Sequence, residues 1–378
     1  MGLIQVASRP QLRPAYSGGG GGGSTLTDNT SIQLTSSVSG TLPSFEFLGG
    51  ATGAINTGTL NTHFTKSGWT QLFATLSDWY YSNTRTLSRA QSLVYDPAAR
   101  GESSSNARGS YQFDVGASGS TDVYRSRNYY WQCNASFSGV QFKTDRWQTI
   151  TDHTGGGGPE VVDGYPPSCY DTSSAARDNM PFSNFTADPG YVGGSTNSPY
   201  SQAVLNTVDG YPQNIWVRDQ MYTKENSTPG TANGIYNRKI RDITNAGASY
   251  NFTVNSTNRI YRGTNDNANP FRYLIFQLYF GNGPTTPNGN DWGDTIFYID
   301  DMYISYSSNG TARRRVELIN ASTPGSANKF VVQPSTKSGI TVTTTVNLGY
   351  IGTGQSGLYI VEYDETDTVI TTWGPYTS

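Results

Sequence analysis

The sequence predicts an all-β protein with one large and one small domain. Only 14% of the 378 residues are charged, while Gly (43) and Tyr (26) are abundant. This composition is typical of antiparallel sheets with many turns and argues against helix-rich folds. Several segments also alternate apolar and polar residues, which is the period of a strand. The length is sufficient for two domains with a sizeable core.

Composition also excludes some classes of function. A net charge of −3 gives no electrostatic reason to expect nucleic-acid binding. No apolar run is long enough to span a membrane. The N-terminus lacks the apolar segment of a secretory signal, because Ser8, Arg9, Pro10 and Arg13 interrupt it. We therefore expect neither a membrane protein nor export by that route.

Residues 1–24 form an arm in front of the predicted folded part. An apolar start, LIQV, is followed by six glycines at residues 18–23, the composition of a flexible tether. The arm is either an anchor that docks on a partner or a disordered leader.

Short β-like segments follow between residues 31 and 111, and further strands are predicted at residues 127–136 and 140–150. Trp79, Tyr80 and Tyr81 form either a sugar-stacking platform or part of the core. Cys133 and Cys169 are predicted to be structural thiols, paired or separate, since two cysteines alone cannot make a zinc site. Residues 151–201 lack periodicity, which is typical of an elaborated loop that either serves binding or covers an edge.

The segment at residues 214–224 alternates clearly. Ile215, Val217 and Met221 point one way, and the other row comprises Trp216, Arg218, Gln220 and Tyr222.

Residues 271–305 predict two strands joined by a wide turn, which we interpret as a β-hairpin near the centre of a sheet. The apolar row predicted to face the core comprises Leu274, Phe276, Leu278 and Phe280, and the opposite row comprises Tyr273, Gln277 and Tyr279. Between the strands, residues 281–293 are rich in Gly, Asn and Pro, which is turn chemistry.

A smaller unit is predicted from Val316, with four short strands that have the rhythm of a small sandwich. The predicted organisation is an arm at residues 1–24, a large domain at residues 25–315 and a small domain at residues 316–378.

Three motifs in order, NYYWQ with VQFKTDRW, IWVRDQMYTKENSTPGTANGIYNRKI, and FGNG with FYIDDMYIS and ARRRVEL, cover residues 129–318. This part resembles the concanavalin-like jelly-roll domain of polysaccharide lyases and related glycan-binding proteins. The tail from Val316 resembles the small immunoglobulin-like module that follows such domains in environmental and phage-associated proteins.

The resemblance implies a bent sheet with a concave surface lined by alternate residues. The predicted glycan-binding residues are Trp216, Arg218, Gln220, Tyr222, Tyr273, Gln277 and Tyr279, with Gln141, Lys143 and Asp145 as further lining candidates. Aromatic faces stack on sugar rings, and Arg, Lys and Gln hydrogen-bond hydroxyls or carboxylates.

Two functions are compatible with this sequence. The preferred one is a non-catalytic surface protein, a phage virion decoration or fibre protein with a lectin-like jelly roll, located on the virion surface or extracellularly. It would attach to other virion or surface proteins through residues 1–24, form a homo-oligomer and bind a polysaccharide. The alternative is a polysaccharide lyase acting by β-elimination, with Arg218 or Lys143 neutralising the uronate carboxylate and Tyr279 or Tyr222 carrying the proton. His63 and His153 occupy no recognisable lyase motif.

No cofactor is expected except a structural calcium ion. The candidate oxygen ligands are Asp291, Asp294, Asp300 and Asp301. Acidic turn residues are more often simply solvated, and no twelve-residue calcium loop is present.

Overall fold

A computed structural model of the chain describes residues 24–48, 69–71, 79–87, 92–95, 107–116, 118–133, 141–148, 179–180, 211–212, 214–228, 231–244, 251–259, 271–281 and 295–378. The all-β prediction is confirmed, because these residues form twenty strands and a single 3-10 turn. No helix among them is long and apolar enough to cross a membrane. The strands are β1 (Ser31–Gly40), β2 (Ser44–Leu48), β3 (Trp69–Gln71), β4 (Trp79–Ser82), β5 (Ser92–Tyr95), β6 (Ala107–Asp114), β7 (Asp122–Cys133), β8 (Gln141–Gln148), β9 (Asn179–Met180), β10 (Tyr211–Pro212), β11 (Val217–Lys224), β12 (Gly234–Asp242), β13 (Asn251–Arg259), β14 (Tyr273–Gly281), β15 (Thr295–Ser307), β16 (Arg315–Ile319), β17 (Phe330–Gln333), β18 (Ser335–Thr345), β19 (Ser356–Tyr363) and β20 (Val369–Thr377).

The chain divides into two compact units, one of residues 46–310 and one of residues 1–45 with 311–378. The large unit contains an eight-stranded sheet in the order β13-β12-β11-β7-β15-β5-β4, with β2 also paired to β15. Its second sheet has the order β3-β6-β14-β8. All strand pairs in both sheets for which a register is defined are antiparallel.

From β5 to β8, and again from β13 to β15, consecutive strands of the large unit alternate between the two sheets. The chain runs from β5 in the eight-stranded sheet to β6 in the other, back to β7 and over again to β8. Ring contact between Phe113 of β6 and Tyr306 of β15, with centroids 5.7 Å apart, joins the sheets. This two-sheet antiparallel topology is that of a jelly-roll sandwich, as predicted.

The prediction that residues 271–305 form a hairpin is wrong, because the two strands do not pair with each other. β14 lies between β6 and β8 in the four-stranded sheet, whereas β15 lies between β7 and β5 in the eight-stranded sheet. Residues 282–294 connect the two strands, and a connection of that length can span the roughly 10 Å between packed sheets. Turn composition predicted the break between the strands but not which sheet each strand joins.

Alternation within β14 is confirmed where its side chains are described. Leu274 is fully buried and Tyr273 is partly exposed. The other side chains of the strand lie outside the described residues. Leu274 is in register with Phe113, whose ring contacts the eight-stranded sheet.

The small unit consists of two sheets with a common core. One sheet pairs β1 with β18, and the other has the order β17-β16-β19-β20. Leu34 of β1 and Val342 of β18 pack with residues of the other sheet, among them Leu318, Ile360 and Trp373. The immunoglobulin-like character of this unit stays a prediction.

The N-terminal strand therefore completes the C-terminal unit, although residues 25–45 were assigned to the large domain from sequence. The indole nitrogen of Trp373 donates to the carbonyl of Thr35 at 2.8 Å, and the amide of Leu26 donates to the carbonyl of Thr377 at 2.7 Å. The physical reason is that Leu34 needs an apolar partner surface, and the core around Leu318 and Ile360 provides it. β1 pairs with β18, which lies about 300 residues away along the chain, and local sequence patterns do not predict a pairing at that distance.

Candidate functional site

The eight-stranded sheet presents two chemically different faces at its centre. In antiparallel sheets, residues in direct register point to the same side and neighbours along a strand point to opposite sides. Arg218 of β11 is in register with Asn128 of β7 and Arg241 of β12, which defines one face, termed the polar face. Asp219 is in register with Arg127 and Ile240, which defines the other, termed the core face.

The four predicted binding residues of the β11 segment share the polar face, but three of them are buried. The ring of Trp216 packs against that of Tyr130, with centroids 5.7 Å apart, and Tyr130 in turn contacts Tyr298. The guanidinium Nε of Arg218 donates to Ser126 Oγ at 3.2 Å.

Tyr222 is also buried, and its hydroxyl donates to Asp122 Oδ2 at 3.2 Å. Of the four residues, Gln220 alone is partly exposed, and its amide donates to the hydroxyl of Tyr124 at 2.7 Å. Trp216, Arg218 and Tyr222 are thus placed to support the sheet, and Gln220 is the accessible residue of this row.

An accessible part of the polar face lies on β11, β12 and β13. Six side chains there are partly or fully exposed, and they carry amides, hydroxyls and two cations. We call this set the polar ladder: Gln220, Asn237, Lys239, Arg241, Thr253 and Asn255.

Register fixes the spacing of the ladder. Gln220 is opposite Lys239, and Lys239 is opposite Thr253, so one row crosses three strands. Asn237 is opposite Asn255 in the next row. Adjacent strands are about 4.8 Å apart and alternate residues are about 7 Å apart along a strand. The ladder therefore offers polar groups at intervals similar to the size of one sugar ring.

The core face carries a buried charge cluster beneath the polar ladder. Asp219 accepts from Arg238 at 2.8 and 2.9 Å and lies 2.9 Å from Arg125 and 3.3 Å from Arg127. All four side chains are at most 2% exposed. Arg125 also donates to the carbonyl of Asp219 at 3.1 Å. The cluster ties β7, β11 and β12 together.

Opposing effects act on the Asp219 carboxyl. Burial raises its pKa, but the charges of Arg125, Arg238 and Arg127 outweigh burial and hold the pKa well below the ordinary value for aspartate. Burial raises the pKa of the nearby Tyr236 phenol. Asp219 is thus ionised at neutral pH.

Sequence reasoning missed this cluster. Arg125 and Arg127 stand two residues apart in β7, as two charges on one face of a strand must. The alternation of the two arginines was therefore visible in the sequence, but alternate charged residues ordinarily indicate a solvated face. Their partner Asp219 lies more than 90 residues away and was assigned to no site.

The remaining predicted site residues lie on the other sheet. Tyr273, Gln277 and Tyr279 belong to β14, and Gln141, Lys143 and Asp145 belong to β8. The predicted residues therefore do not form a single surface. The four proposed lyase residues fall into two pairs, because Arg218 and Tyr222 are on the eight-stranded sheet while Lys143 is in register with Tyr279 on the four-stranded sheet.

The calcium ligands are described only in part. Asp300 and Asp301 are buried in β15 at an irregularity of the β7 pairing, where Asp300 Oδ1 accepts from the Asp301 amide at 3.0 Å. Asp291 and Asp294 lie outside the described residues, as do His63, His153, Cys169, residues 1–23 and nearly all of residues 151–201. Across the described ranges, no group of three or more His, Cys, Asp or Glu side chains is placed to hold a metal ion.

No protein-family model and no curated protein sequence matches this chain. Among solved structures it is similar to alginate lyase Aly36B, with 14% identity and a TM-score of 0.39 over 70% of this chain and 97% of that one. It is also similar to the PL-14 alginate lyase from Aplysia kurodai, with 12% identity and a TM-score of 0.38 over 71% and 99%. For lectin II from Ulex europaeus the identity is 8% and the TM-score 0.29 over 74% and 100%. The similar structures thus include both alginate lyases and a lectin.

Proposed function

We propose that this protein binds an acidic polysaccharide through the polar ladder. One observation carries the proposal: Gln220, Lys239 and Thr253 form an accessible row across three strands of one sheet. Amide and hydroxyl groups hydrogen-bond sugar hydroxyls, and the cations of Lys239 and Arg241 suit carboxylate or sulfate groups. The buried cluster around Asp219 supports this by fixing the strands from the opposite face.

Loss of either ladder cation is expected to weaken binding selectively. Lys239→Ala and Arg241→Ala should each reduce affinity for an acidic polysaccharide by about tenfold, because a hydrogen bond to a charged group contributes about 1.5–3 kcal/mol. Affinity electrophoresis in gels with alginate, pectate or a neutral glucan measures this.

The matched control is Arg272→Ala. It removes the same charge from the same unit, but Arg272 pairs with Asp114 away from the ladder. Equal weakening by all three substitutions would mean that net charge alone drives retention, and it would remove the ladder from the proposal.

The proposal includes a place for the protein in a surface assembly, as a phage virion decoration or fibre protein. The oligoglycine tether at residues 18–23 and the LIQV start support attachment through the arm. Two β units of low charge suit an exposed appendage. Immunogold labelling of virions with an antibody to this chain tests this part of the proposal separately from glycan binding. Labelled particles would support it, and absence of the chain from purified particles would contradict it.

Lyase activity is the second candidate, and the register of Lys143 with Tyr279 favours it. In β-elimination a tyrosinate removes the C5 proton of a uronate while a cation neutralises the carboxylate. The C4–O bond breaks as the C4–C5 double bond forms, and the leaving oxygen takes up the proton from the tyrosine. By contrast, Arg218 and Tyr222 are four residues apart on one strand, about 13 Å, which is too far for both to act on a single sugar. Ultraviolet absorbance of an unsaturated uronate product, lost in Tyr279→Phe, would establish the lyase.

A further inference from the structure

The small unit holds a lysine and a glutamate against each other at the end of its core. Glu362 of β19 is in register with Val316 and lies two residues after Ile360, so its side chain is on the face that carries these two core residues. Lys337 belongs to β18, which is not part of that sheet, and its Nζ contacts Glu362 Oε1. The Lys337 and Glu362 side chains are 3% and 1% exposed. An amine and a carboxyl group are therefore in contact away from solvent.

Few polar groups surround this pair. Lys337 Nζ donates to Ser36 Oγ at 2.9 Å, and Ser36 is itself buried. The second carboxyl oxygen, Glu362 Oε2, is buried and has no hydrogen-bond partner among the residues that the structure describes. A buried carboxylate with an unsatisfied oxygen is costly, and a buried ion pair repays its desolvation only when further hydrogen bonds complete it. A neutral product of the same two groups would remove this cost.

We propose that Lys337 and Glu362 join in an intramolecular amide bond that cross-links the two sheets of the small unit. A proton first passes from the ammonium group to the carboxylate, which gives a neutral amine and a carboxylic acid. The lone pair of Nζ then attacks Cδ of Glu362, and the C–O bond to the hydroxyl breaks. The hydroxyl leaves with a proton of the amine as one water molecule. No oxidant, reductant or co-reactant is consumed, and the N–H that remains can donate to Ser36 Oγ.

The fold supplies the driving force for this condensation. Groups held in contact react as if present at effective concentrations of up to about 10⁵–10⁸ M. Lys337 and Glu362 are 25 residues apart in the chain, and folding brings them into such contact. The water formed leaves a site that solvent hardly reaches, which favours the amide over its hydrolysis. Like a disulfide, the bond would restrict the unfolded chain by closing a loop.

Intact-mass spectrometry of the denatured full chain tests the proposal. The wild type is expected to be lighter than its sequence mass by about 18 Da, the mass of one water molecule. Lys337→Arg keeps the positive charge but replaces the amine with a guanidinium group, and it should have its full sequence mass. Lys329→Arg is the matched control. It makes the same substitution at a partly exposed lysine of the same unit and should retain the mass deficit.

Tryptic digestion locates the bond. Trypsin cleaves after lysine only where the amine is free, and residues 338–378 contain no lysine or arginine. The wild type should therefore give residues 330–378 as one peptide that lacks one water, whereas Lys337→Arg should give residues 330–337 and 338–378 separately. The wild-type peptide decides the question even if Lys337→Arg does not fold.

Two results would overturn the proposal. One is a wild type of full sequence mass that trypsin cleaves after Lys337, which would leave the two groups as a buried ion pair. The other is a water loss that persists in Lys337→Arg, because cyclisation of an aspartate elsewhere in the chain produces the same change in mass.

Discussion

Replacing Asp219 with Asn is expected to destabilise the large unit by about 3–5 kcal/mol, because it removes the carboxylate from a cluster that holds three buried arginines. Asn has nearly the same shape, so no cavity forms. The cost comes from leaving the charges of Arg125, Arg127 and Arg238 without their shared anion. Denaturant dependence of amide exchange in β7, β11 and β12 measures the loss.

Asp114→Asn is the matched control for this variant. Asp114 also pairs with an arginine, at 2.8 Å from Arg272, but its side chain is 40% exposed. Exposed pairs contribute about 1 kcal/mol or less. Equal effects of the two substitutions would contradict the view that burial makes the Asp219 cluster a stabilising centre of the sandwich.

The Asp219 effect depends on pH in a defined direction. The pKa of this carboxyl is lowered in the folded state, so its contribution is fully present above the ordinary aspartate pKa of about 3.9. It is lost as the pH falls through the lowered folded-state pKa. The stability difference between wild type and Asp219→Asn should therefore be constant near neutral pH and shrink below about pH 4.

Local patterns predicted the strands better than their pairing. Alternation identified β11 and β14 and assigned Leu274 to the core, since the two-residue period is a property of one strand. The partner of each strand depends on contacts distant in sequence. For this reason the segment at residues 271–305 was interpreted as a hairpin although its strands belong to different sheets.

In the candidate site, too, the sequence predicted which residues share a face of a strand but not what packs against them. The sequence placed Arg218, Gln220 and Tyr222 on one face, and the register agrees. It did not predict that residues of β7 such as Ser126 and Tyr130 contact the buried members of that row, nor that β12 supplies two accessible cations. Burial is set by neighbouring strands, and it reverses the ordinary expectation that a charged residue in a strand is solvated.

The second large expected effect concerns the small unit, which is built from two separate segments of the chain. Leu34→Ala in β1 should destabilise this unit by about 2–5 kcal/mol, because Leu34 is buried in a core otherwise built mainly from residues beyond 315. Thr35→Ala is the control, since Thr35 is exposed on the same strand and offers its backbone carbonyl to Trp373.

The measurement is amide exchange in β16 and β19, at residues 316–319 and 358–361. Leu34→Ala should accelerate exchange there, although the substitution lies some 280 residues away along the chain, and Thr35→Ala should leave it unchanged. If residues 25–45 instead belonged to the large domain, Leu34→Ala would leave β16 and β19 protected and accelerate exchange in the sandwich of residues 46–310. The two outcomes differ in which unit loosens, so the experiment tests how the N-terminal strand closes the C-terminal core.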